Sequence, residues 1–171
     1  MRNLKKRLRA GLTVVALTAS MACSNSDTAP SAASSTSSTQ AAFSVAVRPS
    51  PVTATRCSSQ CSDESSSKSF AFSAEMTIDL HDSASVGATV NSITLNATAD
   101  GNAFSPLVLS SDDIKQAART NHVDGKATLS VPMTILYSTA SGSPNLEISL
   151  SAQITDDRSN QMTPTGQVSV R

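Results

Sequence analysis

Apolar and polar residues alternate with a period of two along several stretches of this chain. From Ser69 to His81, Phe70, Phe72, Ala74, Met76, Ile78 and Leu80 are interleaved with Ser69, Ala71, Ser73, Glu75, Thr77, Asp79 and His81. That alternation predicts a half-buried strand, apolar on one face and mostly polar on the other. Leu146, Ile148, Leu150, Ala152 and Ile154 alternate with Glu147, Ser149, Ser151, Gln153 and Thr155 in the same way. Ala127, Leu129, Val131, Met133, Ile135 and Tyr137 mark a third strand, with Pro132 on its outward face. A proline has no N–H to give a ladder, so this strand is expected at an edge or a bulge. Ala88–Ala99 is a fourth strand whose phase slips at Asn91-Ser92, as one inserted residue in a β-bulge would cause. Phe43, Val45 and Val47 open the pattern and are broken off by Pro49 and Pro51. Phe104 to Leu109 is a candidate short strand, and Val168 and Val170 close the chain.

Turn residues punctuate these runs: Asp124-Gly125, Ser141-Gly142-Ser143-Pro144 and Asp156 to Asn160. Ser110 to Arg119 is the one helix-like stretch, with a serine cap followed by Asp112 and Asp113. One or two helical turns bridging two sheets are expected there. About seven short antiparallel strands with polar outer faces point to an all-β, two-sheet antiparallel sandwich over residues 43–171. The order of strands resembles bacterial immunoglobulin-like or fibronectin-like domains. The stretches that carry the resemblance are Leu80 to Thr98 and Ile148 to Arg171, with its Gly-x-Val-x-Val close. The Cys…Trp…Cys signature of antibody-type domains is absent, and a jelly roll or small barrel is the alternative.

The N-terminal end has a different character. Arg2, Lys5, Lys6, Arg7 and Arg9 precede an apolar run from Ala10 to Ala19, and small residues follow at Ser20 and Ala22. Basic, apolar and small residues in that order predict a signal peptide over residues 1–22. The apolar run is too short to span a bilayer, which takes about 20 residues. Ser20-Met21-Ala22-Cys23 resembles the lipobox of bacterial lipoproteins. That resemblance implies diacylglycerol on the Cys23 thiol, acylation of its freed amino group and, with Ser24 next, sorting to the outer membrane or cell surface. Ser20 stands where the family usually carries Leu. Ser20-x-Ala22 also suits ordinary signal peptidase, which would leave Cys23 as a free N-terminal residue. Residues 23–42 are almost wholly Ser, Thr, Ala, Asn and Pro, with nothing large to bury. They are expected to be a flexible tether.

Charge and composition narrow the function. Five of the thirteen Lys and Arg lie in the first ten residues and all thirteen acidic residues follow Cys23. Removing the leader leaves eight basic residues against thirteen acidic ones, a net charge of −5. An acidic surface does not attract phosphate backbones, so no nucleic-acid partner is expected. With no Trp and a single, inward-phased Tyr137, the aromatic platform on which sandwich modules stack sugars is missing. No nucleophile motif, phosphate loop, histidine–metal motif or cofactor motif is present. His81 and His122 read as solvated surface histidines. The pairs Asp79 and Asp82, Asp112 and Asp113, and Asp156 and Asp157 read as solvated turn carboxylates, with calcium ligation as the rival. No catalytic, metal or cofactor site is expected.

The expected function is a non-catalytic, lipid-anchored cell-envelope module. Its partners would be the membrane, through the N-terminal lipid, and an envelope protein or glycan. A carbohydrate- or calcium-binding module, or an accessory domain of a hydrolase, is the alternative.

With Cys23 lipidated, Cys57 and Cys61 remain as an even pair in an oxidising compartment. A disulfide there would staple the connection from Pro51 to Lys68. Redox motifs usually have two intervening residues rather than three, and a metal site would have to recruit His81 or His122. Closing so short a loop stabilises the fold by about 1–2 kcal/mol. The domain of residues 43–171 is therefore expected to show no free thiol until reduced, and reduction should lower its Tm only slightly. Two thiols that alkylate readily in exported protein would exclude the bond.

Overall fold

A computed structural model describes residues 4–7, 41–62 and 69–171. Cys23, the apolar run and the tether up to residue 40 lie outside the described residues. The elements in chain order are β1 (Leu4–Arg7), β2 (Phe43–Arg48), β3 (Ala54–Ser62), β4 (Ser69–Asp82), β5 (Ala88–Ala99), β6 (Asn102–Ala103) and β7 (Leu107–Ser110). There follow α1 (Ser111–Ala118), β8 (His122–Val123), β9 (Thr128–Tyr137), β10 (Leu146–Asp156), β11 (Gln161–Met162) and β12 (Thr165–Val170). These strands form two sheets, packed face to face as a sandwich around one core.

In the first sheet β4 is the middle strand. It pairs with β9 along one side; on the other side β2 takes its C-terminal half and β3 its N-terminal half. β1 lies parallel to the far edge of β9. In the second sheet β10 and β5 are the central pair. β11 and β12 follow one another along the outer side of β10, and β6, β7 and β8 along the outer side of β5. The alternation sets which residues face inward. Phe72, Ala74, Met76, Ile78 and Leu80 are buried against Leu95, Ile148, Leu150 and Ile154. Tyr137 is fully buried, with its ring 5.5 Å from that of Phe72 and its hydroxyl donating to the Pro144 carbonyl at 2.5 Å.

The phase slip in β5 is a bulge. Gln153 pairs with Ser92 and Ile154 with Val90, so Asn91 has no partner residue, and its side chain donates to Thr155 Oγ1 at 2.9 Å. The helix starts where its serine places it. Ser110 Oγ accepts from the Asp113 N–H while the Asp113 carboxylate accepts from the Ser110 N–H, a capping box. Arg119 ends it in the left-handed region at φ 70°. α1 buries Ile114 and contacts β7 and β5 of one sheet and β9 of the other, closing that side of the sandwich.

The opposite side is closed by backbone. After Pro49 and Pro51 the chain leaves β4, and Val52 bridges to Val170 in parallel. The Val52 N–H donates to Ser169 O, the Arg171 N–H to Val52 O and the Ala54 N–H to Arg171 O, at 2.8 to 2.9 Å. The chain then returns to the first sheet as β3.

Two expectations are corrected. The segment read as a loose connection contains β3, paired with β4; its sequence carries no alternation because it lies at an edge and takes its order from its partner. The short strand expected at Phe104 to Leu109 is shifted to Leu107–Ser110. Between Arg56, opposite Phe72, and Cys61, opposite Phe70, the residues Cys57 to Gln60 bulge out, and the Cys57–Cys61 disulfide closes their neck with Cα atoms 5.6 Å apart.

The turn at Gly125 lies flat on the β4–β5 connection. A Cβ on Gly125 would sit 2.5 Å from the Ser85 carbonyl carbon and 2.7 Å from its oxygen. Neither backbone can yield, so Gly125→Ala is expected to destabilise the domain by about 1–3 kcal/mol, the usual cost of overpacking. A chemical-denaturation midpoint unchanged from wild type would show that the turn is looser than this contact implies.

Candidate functional site

A recess on the outer surface arises where β2 hands over to β3. β2 pairs with Thr77 to Asp82 and β3 with Ser69 to Ala74, so Glu75 and Met76 have neither strand beside them. The intervening residues have gone across to β12. What is left is an open recess of about 640 Å³ on the outward face of the first sheet, lined by Arg48, Thr55, Ser73, Glu75, Thr77 and Pro132 among others. That volume lies within the range of ligand sites, about 300–1,000 Å³.

At its rim the Arg48 guanidinium grips the Asp79 carboxylate with two nitrogens, Nε and Nη2, and Ser130 Oγ donates to the same carboxylate at 2.6 Å. The hydrogen bonds from Arg48 hold the Asp79 carboxyl below the ordinary carboxylate range, against the opposing effect of burial. The same pairing raises the Arg48 pKa. The Arg48 side chain is nevertheless 68% exposed, so the pair offers a donor group to anything lodged in the recess. Glu75 adds an exposed carboxylate and Thr55, Ser73 and Thr77 add hydroxyls. Such a lining can hydrogen-bond and orient a polar ligand.

The histidines and carboxylates singled out in the sequence are distributed as follows. His81 is exposed, its Nδ1 3.0 Å from Thr128 Oγ1. His122 lies between two loops, with Nε2 3.6 Å from Asp124 and Nδ1 4.0 Å from Asp157. Gly87 leaves them this room, since a Cβ there would come within 2.7 Å of Asp157 and 3.0 Å of His122. Asp112 sits 3.7 Å from Lys115, and Asp113 caps α1. Among the described residues no three His, Cys, Asp or Glu side chains are grouped to hold a metal ion.

The reading of the aspartates as solvated is overturned at Asp79, Asp82 and Asp156, which are 8%, 0% and 3% exposed. Asp82 ends β4 and Asp156 ends β10, so the two sheets each place one carboxylate at the same end of the sandwich. Asp82 Oδ1 accepts from the N–H groups of Ala42, at 3.1 Å, and Ala84, at 2.9 Å. Asp156 accepts from the side chain and N–H of Asn160, from the Arg158 N–H and from the Ala41 N–H. Consecutive amides at Ala41 and Ala42 are therefore clamped by opposite sheets. Asp82 Oδ2 is buried with no hydrogen-bond partner. Sequence reasoning missed this clamp and the recess. An Asp ending an alternating strand was the only available signal for the first, and the Pro49/Pro51 break for the second.

No family model and no curated protein matches the chain. Solved structures do. A structural-genomics target, SoR45, is 8% identical with a TM-score of 0.51, covering 75% of this chain and 85% of its own. A Bordetella pertussis structural-genomics target designated ApaA is 11% identical with a TM-score of 0.50, covering 75% and 92%. A Niemann-Pick type C2 protein from the Japanese carpenter ant is 12% identical with a TM-score of 0.35, covering 76% and 90%. The first two show that the chain shares their fold, and at such identities nothing more.

Asp79, Asp100 and Asp156 all have carboxyls lowered by hydrogen bonds: from Arg48, from Ser141 and from Asn160 respectively. A depressed folded-state value means stability that is present above the unfolded value and lost as pH falls through the folded one. The unfolded value is about 3.9, so Tm is expected to fall in acid below about pH 4, while the three groups contribute a constant amount above about pH 5. Asp79→Asn should flatten that acid slope in thermal melts. A slope identical to wild type would show that the Arg48–Asp79 pair is not part of it.

Proposed function

We propose that the chain is an exported bacterial lipoprotein, anchored through Cys23 to the outer membrane or cell surface, whose sandwich is a non-catalytic module binding another envelope macromolecule. The observation that carries this reading is the Cys57–Cys61 bond. A disulfide of this kind persists in oxidising compartments and is rare in the cytosol. It agrees with a leader of basic, apolar and small residues and with a cysteine at the lipobox position.

Geometry supports binding over turnover. The recess is open to water, and its strongest ionic group, Arg48, already has Asp79 as partner. Turnover calls for polar groups converging in a site that excludes water. The clamp at Ala41 and Ala42 fixes where the tether joins the domain. The disulfide-closed bulge and the Ser141 turn, tied to Asp100 by 2.8 and 3.0 Å hydrogen bonds, lie at the other end. A tethered domain of this shape presents that far end and the recess outward. The hydroxyls of the recess also suit a glycan, which is the second reading.

Cys23→Ser is expected to move the protein from the membrane fraction to a soluble one, because the acyl chains that make attachment stable are lost. Wild-type protein already soluble in periplasm or medium would refute the anchor. A hydrolytic activity that disappears when His81, His122 and Asp157 are replaced by Ala, with Tm unchanged, would refute the non-catalytic reading.

A further inference from the structure

We propose that the outer edge of β9, from Met133 to Leu136, is a docking site for an extended, basic polypeptide segment of a partner protein. The proposal rests on the export reading in one respect, that removal of the leader is what vacates this edge.

β4 occupies one side of β9 along its whole length, from Thr128 to Tyr137. Among the described strands of residues 41–171, none pairs with the other side, so there β9 is an edge. In the full chain a strand is seated there. β1 runs parallel to β9, with Leu4 opposite Met133, Lys5 opposite Thr134, Lys6 opposite Ile135 and Arg7 opposite Leu136. The pairing begins at the residue after Pro132, which has no N–H to offer. α1 packs beside β9 and contacts β1, so the slot has a side wall as well as an end stop. Two residues on the face of β9 away from the core mark it further: in the full chain, with β1 seated, Thr134 is 5% and Leu136 4% exposed, and Leu136 is not part of the core cluster. A leucine on the outward face of this strand, covered in the full chain, supplies apolar surface for an added strand.

The chemistry of the occupant follows from the segment that fits. Three of the four seated residues are basic, whereas the chain after Cys23 carries a net charge of −5. In strand addition main-chain hydrogen bonds supply affinity while side chains and charge select the partner. An edge stripped of its strand also has to be covered, because a bare row of N–H and C=O groups pairs with whatever extended chain it meets. Leader removal takes away a basic strand and leaves an acidic domain with that row open.

The test uses the full chain, its Lys6→Pro variant and a synthetic peptide of residues 2–9, read by hydrogen exchange at Met133 to Leu136. Proline removes a ladder N–H and breaks β1. The edge amides of Lys6→Pro are expected to exchange about tenfold faster than wild type, the factor that one lost hydrogen bond gives. The peptide added in trans should restore their protection. A peptide with Pro in place of Lys6, and one with Glu in place of its basic residues, should not.

Equal exchange in the two chains would overturn the proposal. So would equal protection by the acidic peptide, or protection of Lys6→Pro that rises with its own concentration, which would make the occupant a second copy. The mass of the exported protein reports separately whether residues 1–22 are removed, so failure of the docking edge and failure of the export reading are distinguishable.

Discussion

Burying the inward row of β4, from Phe72 to Leu80, is the constraint on which the rest depends. A strand with five apolar side chains on one face needs a second sheet to cover them, and each of its edges needs partners for its N–H and C=O groups. β10 and β5 answer the first need through Ile148, Leu150 and Leu95. β9 answers half of the second. The other half is answered by two strands in succession, because Pro49 and Pro51 cannot continue β2. The recess at Glu75 and Met76 is thus a by-product of how one long strand is paired, and the link from Val52 to β12 that closes the sandwich arises at the same break.

The ends of the sandwich are built differently. At one end two buried carboxylates from opposite sheets hold two consecutive amides, so a chain of small residues becomes fixed at Ala41 and Ala42 without any large side chain to anchor it. At the other end the order comes from covalent and turn chemistry: the Cys57–Cys61 bond, the Asp100–Ser141 hydrogen bonds and the Tyr137 hydroxyl on Pro144. The first and last close loops locally, while the Asp100–Ser141 hydrogen bonds tie together two turns 41 residues apart. The orphaned Asp82 Oδ2 shows where the first end departs from full satisfaction of its polar groups.

Much of the fold was legible because alternation is a local property. The faces of β4, β9 and β10 could be assigned from one residue in two, the insertion at Asn91 from a break in that phase, and the start of α1 from Ser110 and Asp113. The candidate site was scarcely legible. Arg48, Glu75 and Pro132 come from three strands, and no spacing along the chain announces that they share a recess. The aspartates were misjudged for a related reason. An Asp at the end of a strand looks solvated until the amides that reach it are known, and for Asp82 one of those amides belongs to Ala42, 40 residues away.

By itself, then, the sequence determined the class of fold, the inward and outward faces of its main strands, the helix cap and the pairing of the two cysteines that follow Cys23. These depend on contacts between near neighbours, or on counting. The tertiary structure decided that a polar segment, Ala54–Ser62, is a strand, that three aspartates are buried, that the sandwich closes through Val52 and Val170, and that the far edge of β9 takes a parallel strand. Each of these turns on which donors and acceptors from distant parts of the chain arrive side by side. Hydrogen-bond satisfaction across the fold sets that, and local hydrophobic pattern does not encode it.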